Sequence, residues 1–223
     1  MFALAAIGCS SARIAGETAP RSAAAAQAES DSAAIARARA DSIRHPYTEA
    51  DVRFMSSMIG HHAQALEIAA WAPTHGASRS VQTLAARITS AQKDEIATMQ
   101  QWLRDRQQPV PEARQAGMMT HPSTGAAHSH AEHEMLMPGM LTEAQLTQLD
   151  GARGAEFDRL FLTFMIQHHR GAVSMVTQLF SSYGAGQDET VFKFASDVNV
   201  DQITEIERME RMLIDLMFES PSP

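Results

Sequence analysis

Cysteine is almost missing from this 223-residue chain: Cys9 stands alone, so no intrachain disulfide can form. Aromatic residues are scarce, at 6% of the chain with only two tryptophans. No run approaches the roughly 18 consecutive apolar residues that a membrane-spanning helix needs. Positive charge is in deficit, 18 Lys and Arg against 26 Asp and Glu, giving a formal net charge of −8 and a pI near 5.6. That balance argues against a nucleic-acid partner and against an anionic membrane surface, leaving a lipid anchor as the route to a membrane. Also missing are CxxC, HExxH, a carboxylate-rich calcium loop, a phosphate loop and any nucleophilic triad signature, so no common catalytic class is marked.

Methionine, by contrast, is abundant at 14 residues. The chain opens "MFALAAIGCS", an apolar run followed by Gly8-Cys9. This pattern is that of a lipoprotein signal, with Cys9 as the lipidated residue. Residues 1–9 are therefore read as a signal remnant, and the protein as exported to the periplasm or cell envelope. Residues 10–44, rich in Ala, Ser, Arg, Asp and Glu, read as a tether, with a local helix over "SAAIARARADSIR".

From residue 45 the pattern becomes helical. Thr48 is an N-cap with Asp51 three positions on, and Val52, Met55, Ile59, Leu66 and Ile68 follow at helical spacing. Pro73 and Gly76 end that helix. A second helix starts near Ser78 or Ser80 and runs to about Gln107. Residues 109–140 hold Pro, Gly, Met and His without apolar periodicity and read as a loop. Thr142 caps a further helix, with Gln145 completing a capping box. Long helices are predicted over about 155–181 and 188–219.

The two halves repeat. Asp51, Phe54, Met58-Ile59, His61-His62 and Ala65 match Asp158, Phe161, Met165-Ile166, His168-His169 and Ala172 at an offset of 107. Leu84, Ile88, Gln92, Glu95-Ile96 and Met99 match Phe194, Val198, Gln202, Glu205-Ile206 and Met209 at an offset of 110. Each half is thus a helical hairpin, at 45–108 and 141–219. The halves pack as an all-α, ferritin-like four-helix bundle forming one domain over 45–219.

The spacing points to chemistry. Residues three and four apart share a helix face, so Met58 lies beneath His61 and His62, and Met165 beneath His168 and His169. Glu95 and Glu205 fall on the apolar stripes of the partner helices, where a carboxylate needs a partner. Imidazole and thioether together suit copper, Cu(I) first and Cu(II) second, with a glutamate accepting the ligating histidine's other N–H. The candidate bundle ligands are His61, His62, His168, His169, Met58, Met165, Met99, Met209, Glu95 and Glu205. A second candidate set lies in the loop: Met118, Met119, His121, His128, His130, His133, Met135, Met137 and Met140. Removal of residues 118–140 is expected to leave the fold nearly intact. The competing readings are a duplicated structural Glu–His pair in a metal-free interaction module, and a di-iron-like oxidase. The oxidase is disfavoured by Glu-x-x-x-Met where such bundles carry Glu-x-x-His.

The "FMxxMIxHHxxA" segment at Phe54–Ala65, its variant at Phe164–Ala172, both QxxEI segments and the "MPGML" connector occur in order. In these the chain resembles the bacterial family named domain of unknown function 305, over about residues 45–217. The resemblance implies a ferritin-like four-helix bundle, export from the cytoplasm, and copper binding and tolerance. The leading reading is therefore a non-catalytic copper-binding protein of the cell envelope that sequesters or passes on copper, with metal ions and a copper exporter or another envelope copper protein as its expected partners. The chain departs at Ile68, where methionine is common in the family, as at Met175.

Overall fold

The computed structural model describes residue 27 and residues 30–37, 46–113 and 136–218. The chain divides into two units, Met1–Ala40 and Asp41–Pro223. In the first, residues 30–37 are helical and exposed, within the stretch expected to form a local helix. Among its described residues the second holds five helices: α1 (Glu49–Trp71), α2 (Arg79–Asp105), α3 (Glu143–Gly151), α4 (Gly154–Ser181) and α5 (Glu189–Phe218). No strand occurs among the described residues.

Local chemistry sets the helix starts. Thr48 and Asp51 form a reciprocal capping box on α1, and Thr142 and Gln145 another on α3. Ser78 accepts from the Val81 N–H to start α2. Asp188 accepts the Thr190 and Val191 N–H groups at the head of α5, and its Oδ1 also takes the Trp102 indole N–H at 3.1 Å. These bonds satisfy amides that a helix start leaves orphaned.

α1 pairs with α2, and α4 with α5, as two hairpins; α1 and α4 then pack against each other. Two buried aspartates at equivalent repeat positions tie the hairpins together. Asp51 Oδ1 accepts the Gly186 N–H in the α4–α5 turn at 2.7 Å. Asp158 accepts the Ser78 N–H in the α1–α2 turn with both oxygens at 3.1 Å. Each hairpin thus caps the turn of the other.

The core falls into two apolar clusters. One joins the C-terminal half of α1, the N-terminal halves of α2 and α4, and Met209 of α5. The other joins the N-terminal part of α1, the C-terminal halves of α2 and α4, and the N-terminal part of α5. Between them lies a buried polar layer that includes His61, His62, His168, His169, Gln92 and Gln202.

The end of the connector before α3 is fastened down, which corrects the expectation that everything through Met140 is removable. Gln64 grips Leu141 by donating to its carbonyl at 3.1 Å and accepting its N–H at 2.8 Å. His61 Nε2 reaches the Pro138 carbonyl at 3.0 Å, and Gln167 donates to the Gly139 carbonyl at 3.3 Å. Gly171 of α4 makes the approach fit: a Cβ there would lie 1.9 Å from the Pro138 oxygen. Gly139 takes φ +76° at this crossing, a conformation that favours glycine. Residues 136–141 therefore form a strap over α1 and α4.

Candidate metal centre

Each helix delivers its polar residues to the layer because they interrupt an otherwise apolar stripe at helical spacing. His62 Nε2 meets Glu95 Oε2 at 2.5 Å, and His169 Nε2 meets Glu205 Oε2 at 2.7 Å. Both imidazoles are fully buried, while the glutamate side chains keep 17% and 15% of their surface in solvent. A carboxylate can only accept, so in the neutral ring it fixes the proton on Nε2 and leaves the Nδ1 lone pair bare. Nδ1 of His62 and of His169 is buried without a hydrogen-bond partner.

The inner members of the repeats meet each other. The His61 and His168 rings lie 3.9 Å apart between centroids, tilted by 39°. Within each His-His pair the rings are 6.3 Å apart, so neighbours in sequence turn to different partners. His61 Nδ1 and both ring nitrogens of His168 lack a hydrogen bond of ordinary geometry. Burial, reinforced by the charge of His62 and His169 against the pull of the Pro138 carbonyl, pushes the His61 pKa down to about 3. Burial also drives His168 well below its usual value, helped by His61, His169 and His62, with the His61 backbone pulling weakly the other way. Two closely apposed imidazoles are thus held neutral, the form in which a ring nitrogen binds metal.

The methionines flank the layer on both sides. Met58 and Met99 are fully buried in one apolar cluster, Met165 and Met209 in the other. Met137, on the strap, lies against the first of these clusters and close to Gly60. Met140 is half-buried on the strap. Met118, Met119, His121, His128, His130, His133 and Met135 lie outside the described residues, as does Cys9.

Among the described residues, no three His, Cys, Asp or Glu side chains come together closely enough to hold a metal ion. The ligand set foreseen from the sequence is therefore not gathered at one point. It is divided into a His62–Glu95 pair, a His169–Glu205 pair and the central His61–His168 contact. The buried, unpartnered imidazole nitrogens are donors of the type that suits a soft cation.

Two site residues were passed over in the sequence. Gln92 and Gln202 are 1% and 2% exposed; both amide atoms of Gln92 and the Oε1 of Gln202 have no partner. The signal was present in the repeated QxxEI motif, which places a glutamine one turn before each glutamate.

Residues 51–213 match the family described as domain of unknown function (DUF305). The chain belongs to that family. A DUF305 fragment from Deinococcus radiodurans is 32% identical, with a TM-score of 0.59 over 75% of this chain and 97% of that one. A DUF305 protein from Streptomyces coelicolor, 24% identical, shares the fold with a TM-score of 0.60 over 75% of this chain and 93% of that one. CopM in its Cu(II)-bound form is 27% identical, with a TM-score of 0.55 over 74% of this chain and 96% of that one. Its Cu(I)-bound form is 25% identical, with a TM-score of 0.53 over the same shares. CopM has also been crystallised with silver. A search of curated proteins gives no significant match.

Proposed function

We propose that this DUF305 protein is a non-catalytic copper-binding protein that sequesters Cu(I), and secondarily Cu(II), outside the cytoplasm. The observation that carries the reading is the repeated carboxylate–histidine pair with its second nitrogen bare and buried: Glu95–His62 and Glu205–His169. An unpartnered buried polar atom is costly, on the order of 1–3 kcal/mol. A twice-repeated set of them amid thioethers is explained by a ligand that the side chains await. A carboxylate on the far nitrogen also orients the ring and raises its basicity toward a metal. CopM, related in fold and sequence, is a protein seen with Cu(I), Cu(II) and silver bound, which supports the same reading here.

The glutamates are committed to histidine, and each is followed by a methionine four residues on where a di-iron bundle carries histidine three residues on, which favours storage or delivery over a di-iron-like oxidase. The loop ligands from Met118 to Met140 add a capture arm. A copper exporter or another envelope copper protein is the partner class that would receive the ion. Among the described residues no helix is long and apolar enough to cross a membrane. Export and a lipid anchor at Cys9 rest on the "AAIGCS" pattern. Membrane partitioning of the protein expressed in a bacterial host, lost on Cys9→Ser, checks the anchor; soluble behaviour of both forms rules it out.

The test of the function is competition binding. Under reducing conditions the protein should take Cu(I) in preference to Zn(II), because thioether is a soft ligand. The His62→Ala/His169→Ala variant should lose the tighter class of sites with its helix content retained. Equal or tighter zinc binding contradicts the reading, as does unchanged copper affinity in the double variant.

A further inference from the structure

Buried histidines can take up an ion only if a route reaches them, and most approaches are closed. The two ends of the bundle are filled by the apolar clusters. The α1–α4 side is covered by the strap, with Pro138 on His61, Gln64 on Leu141 and Gly171 in backbone contact with Gly139. The seam between α2 and α5, which are not a closely packed pair, brings polar groups to the surface. There Glu95 and Glu205 stand at the boundary, partly in solvent and each bonded inward to a fully buried histidine. Beneath them, one helical turn away, Gln92 and Gln202 bring buried amide atoms without partners. Asp201 is exposed on α5, four residues before Glu205 and next to Gln202. Partial burial, then repulsion from Glu95 across the seam and from Asp197 and Glu205 on its own helix, raises its pKa.

We propose that the α2–α5 seam is the port through which a copper ion enters and leaves the buried histidine layer. Asp201 is the outer station that draws the cation in, and Glu95 and Glu205 pass it to His62 and His169. This rests on the copper-binding function proposed above. An arriving cation relieves the repulsion among the three carboxylates. Each glutamate keeps its hydrogen bond to Nε2 of its histidine, and the bare Nδ1 takes the ion. The unpartnered glutamine amides line the short path inward with oxygen donors. Asp201 is a positioning residue here, since it touches the ion only in transit.

The test follows Cu(I) transfer from a coloured chelator to the full chain by stopped-flow absorbance. The bundle phase is identified as the one that His62→Ala/His169→Ala removes. Asp201→Asn should slow both loading and release in that phase, by about 3- to 10-fold. The equilibrium Kd should change less than either rate, because a way-station lowers the barrier in both directions. Asp201→Glu should restore the rates, and Glu49→Gln, removing one charge at the start of α1, should load like the parent. The port is overturned if Asp201→Asn loads at the parent rate, if affinity falls with the loading rate unaltered, or if Glu49→Gln slows loading equally. A parent protein with no bundle phase overturns the copper-binding function and the port with it. A bundle phase indifferent to Asp201 overturns the port alone.

Discussion

His62 and His169 each have one ring nitrogen committed to a glutamate and the other bare in the interior. His61 and His168, closely apposed between α1 and α4, go further and are held neutral by burial. That has a consequence for the metal-free protein. In the unfolded chain a histidine protonates near pH 6.5, while folded His61 does so only near pH 3. Between those values the unfolded chain binds the additional proton, so stability falls as pH drops. The slope is up to about 1.4 kcal/mol per pH unit from this residue, and His168 steepens it in the same direction. Above pH 6.5 the two contribute no pH dependence. Urea denaturation of the metal-free protein at pH 7.5, 6.5 and 5.5 checks this above most of the carboxylate range. A decline clearly steeper over the lower interval than over the upper is expected; constant stability across all three contradicts the neutral pair. Copper should oppose the decline, since a metal on a ring nitrogen competes with the proton.

At the scale of elements, residues 136–141 are bonded to α1 and α4, so removing them should differ in effect from removing residues 114–135. Deleting residues 114–135 with a short Gly/Ser bridge should leave the thermal midpoint nearly unchanged, because closure entropy varies slowly with loop length. Extending the deletion through 140 should lower it clearly. It removes the partners of His61 and Gln167 and brings Leu141 away from Gln64, and unsatisfied buried groups cost about 1–3 kcal/mol each. Thermal denaturation of the two variants decides; equal midpoints would show that the strap contributes nothing. This difference was not legible in the sequence, where "MPGM" is only a turn-like cluster. Its anchoring depends on side chains about 77 residues earlier in the chain. The helix starts were legible because Thr48, Ser78 and Thr142 cap within three residues of themselves. The histidine–glutamate pairs were legible too, because a carboxylate on an apolar stripe demands a partner and a repeat supplies one twice. Asp51 and Asp158 show the limit. Their repetition was visible, but their bonds to Gly186 and Ser78 span 135 and 80 residues and exist only once the hairpins dock. Gln92 and Gln202 were visible as part of a motif, but glutamine is mostly a surface residue and only the packing shows these two to be buried.

For the whole molecule, the arrangement is two repeats that close one polar layer between two apolar half-cores. Membership of DUF305 accounts for the fold, and the approximate two-fold relation accounts for sites that come in pairs. On the proposed function, the duplicated hairpin predicts a pair of bundle sites of similar strength, with the loop's Met and His residues as a second, weaker class. The central claim is that the bundle itself binds copper through imidazole nitrogen and methionine sulfur together. X-ray absorption at the copper edge, on Cu(I)-loaded protein lacking residues 114–135, tests it most directly because the loop donors up to Met135 are gone. The account predicts retained copper with a mixed nitrogen and sulfur shell and few ligands in all. A shell of nitrogen and oxygen alone, or a variant that retains no copper, would contradict it and return the paired histidines to a structural role.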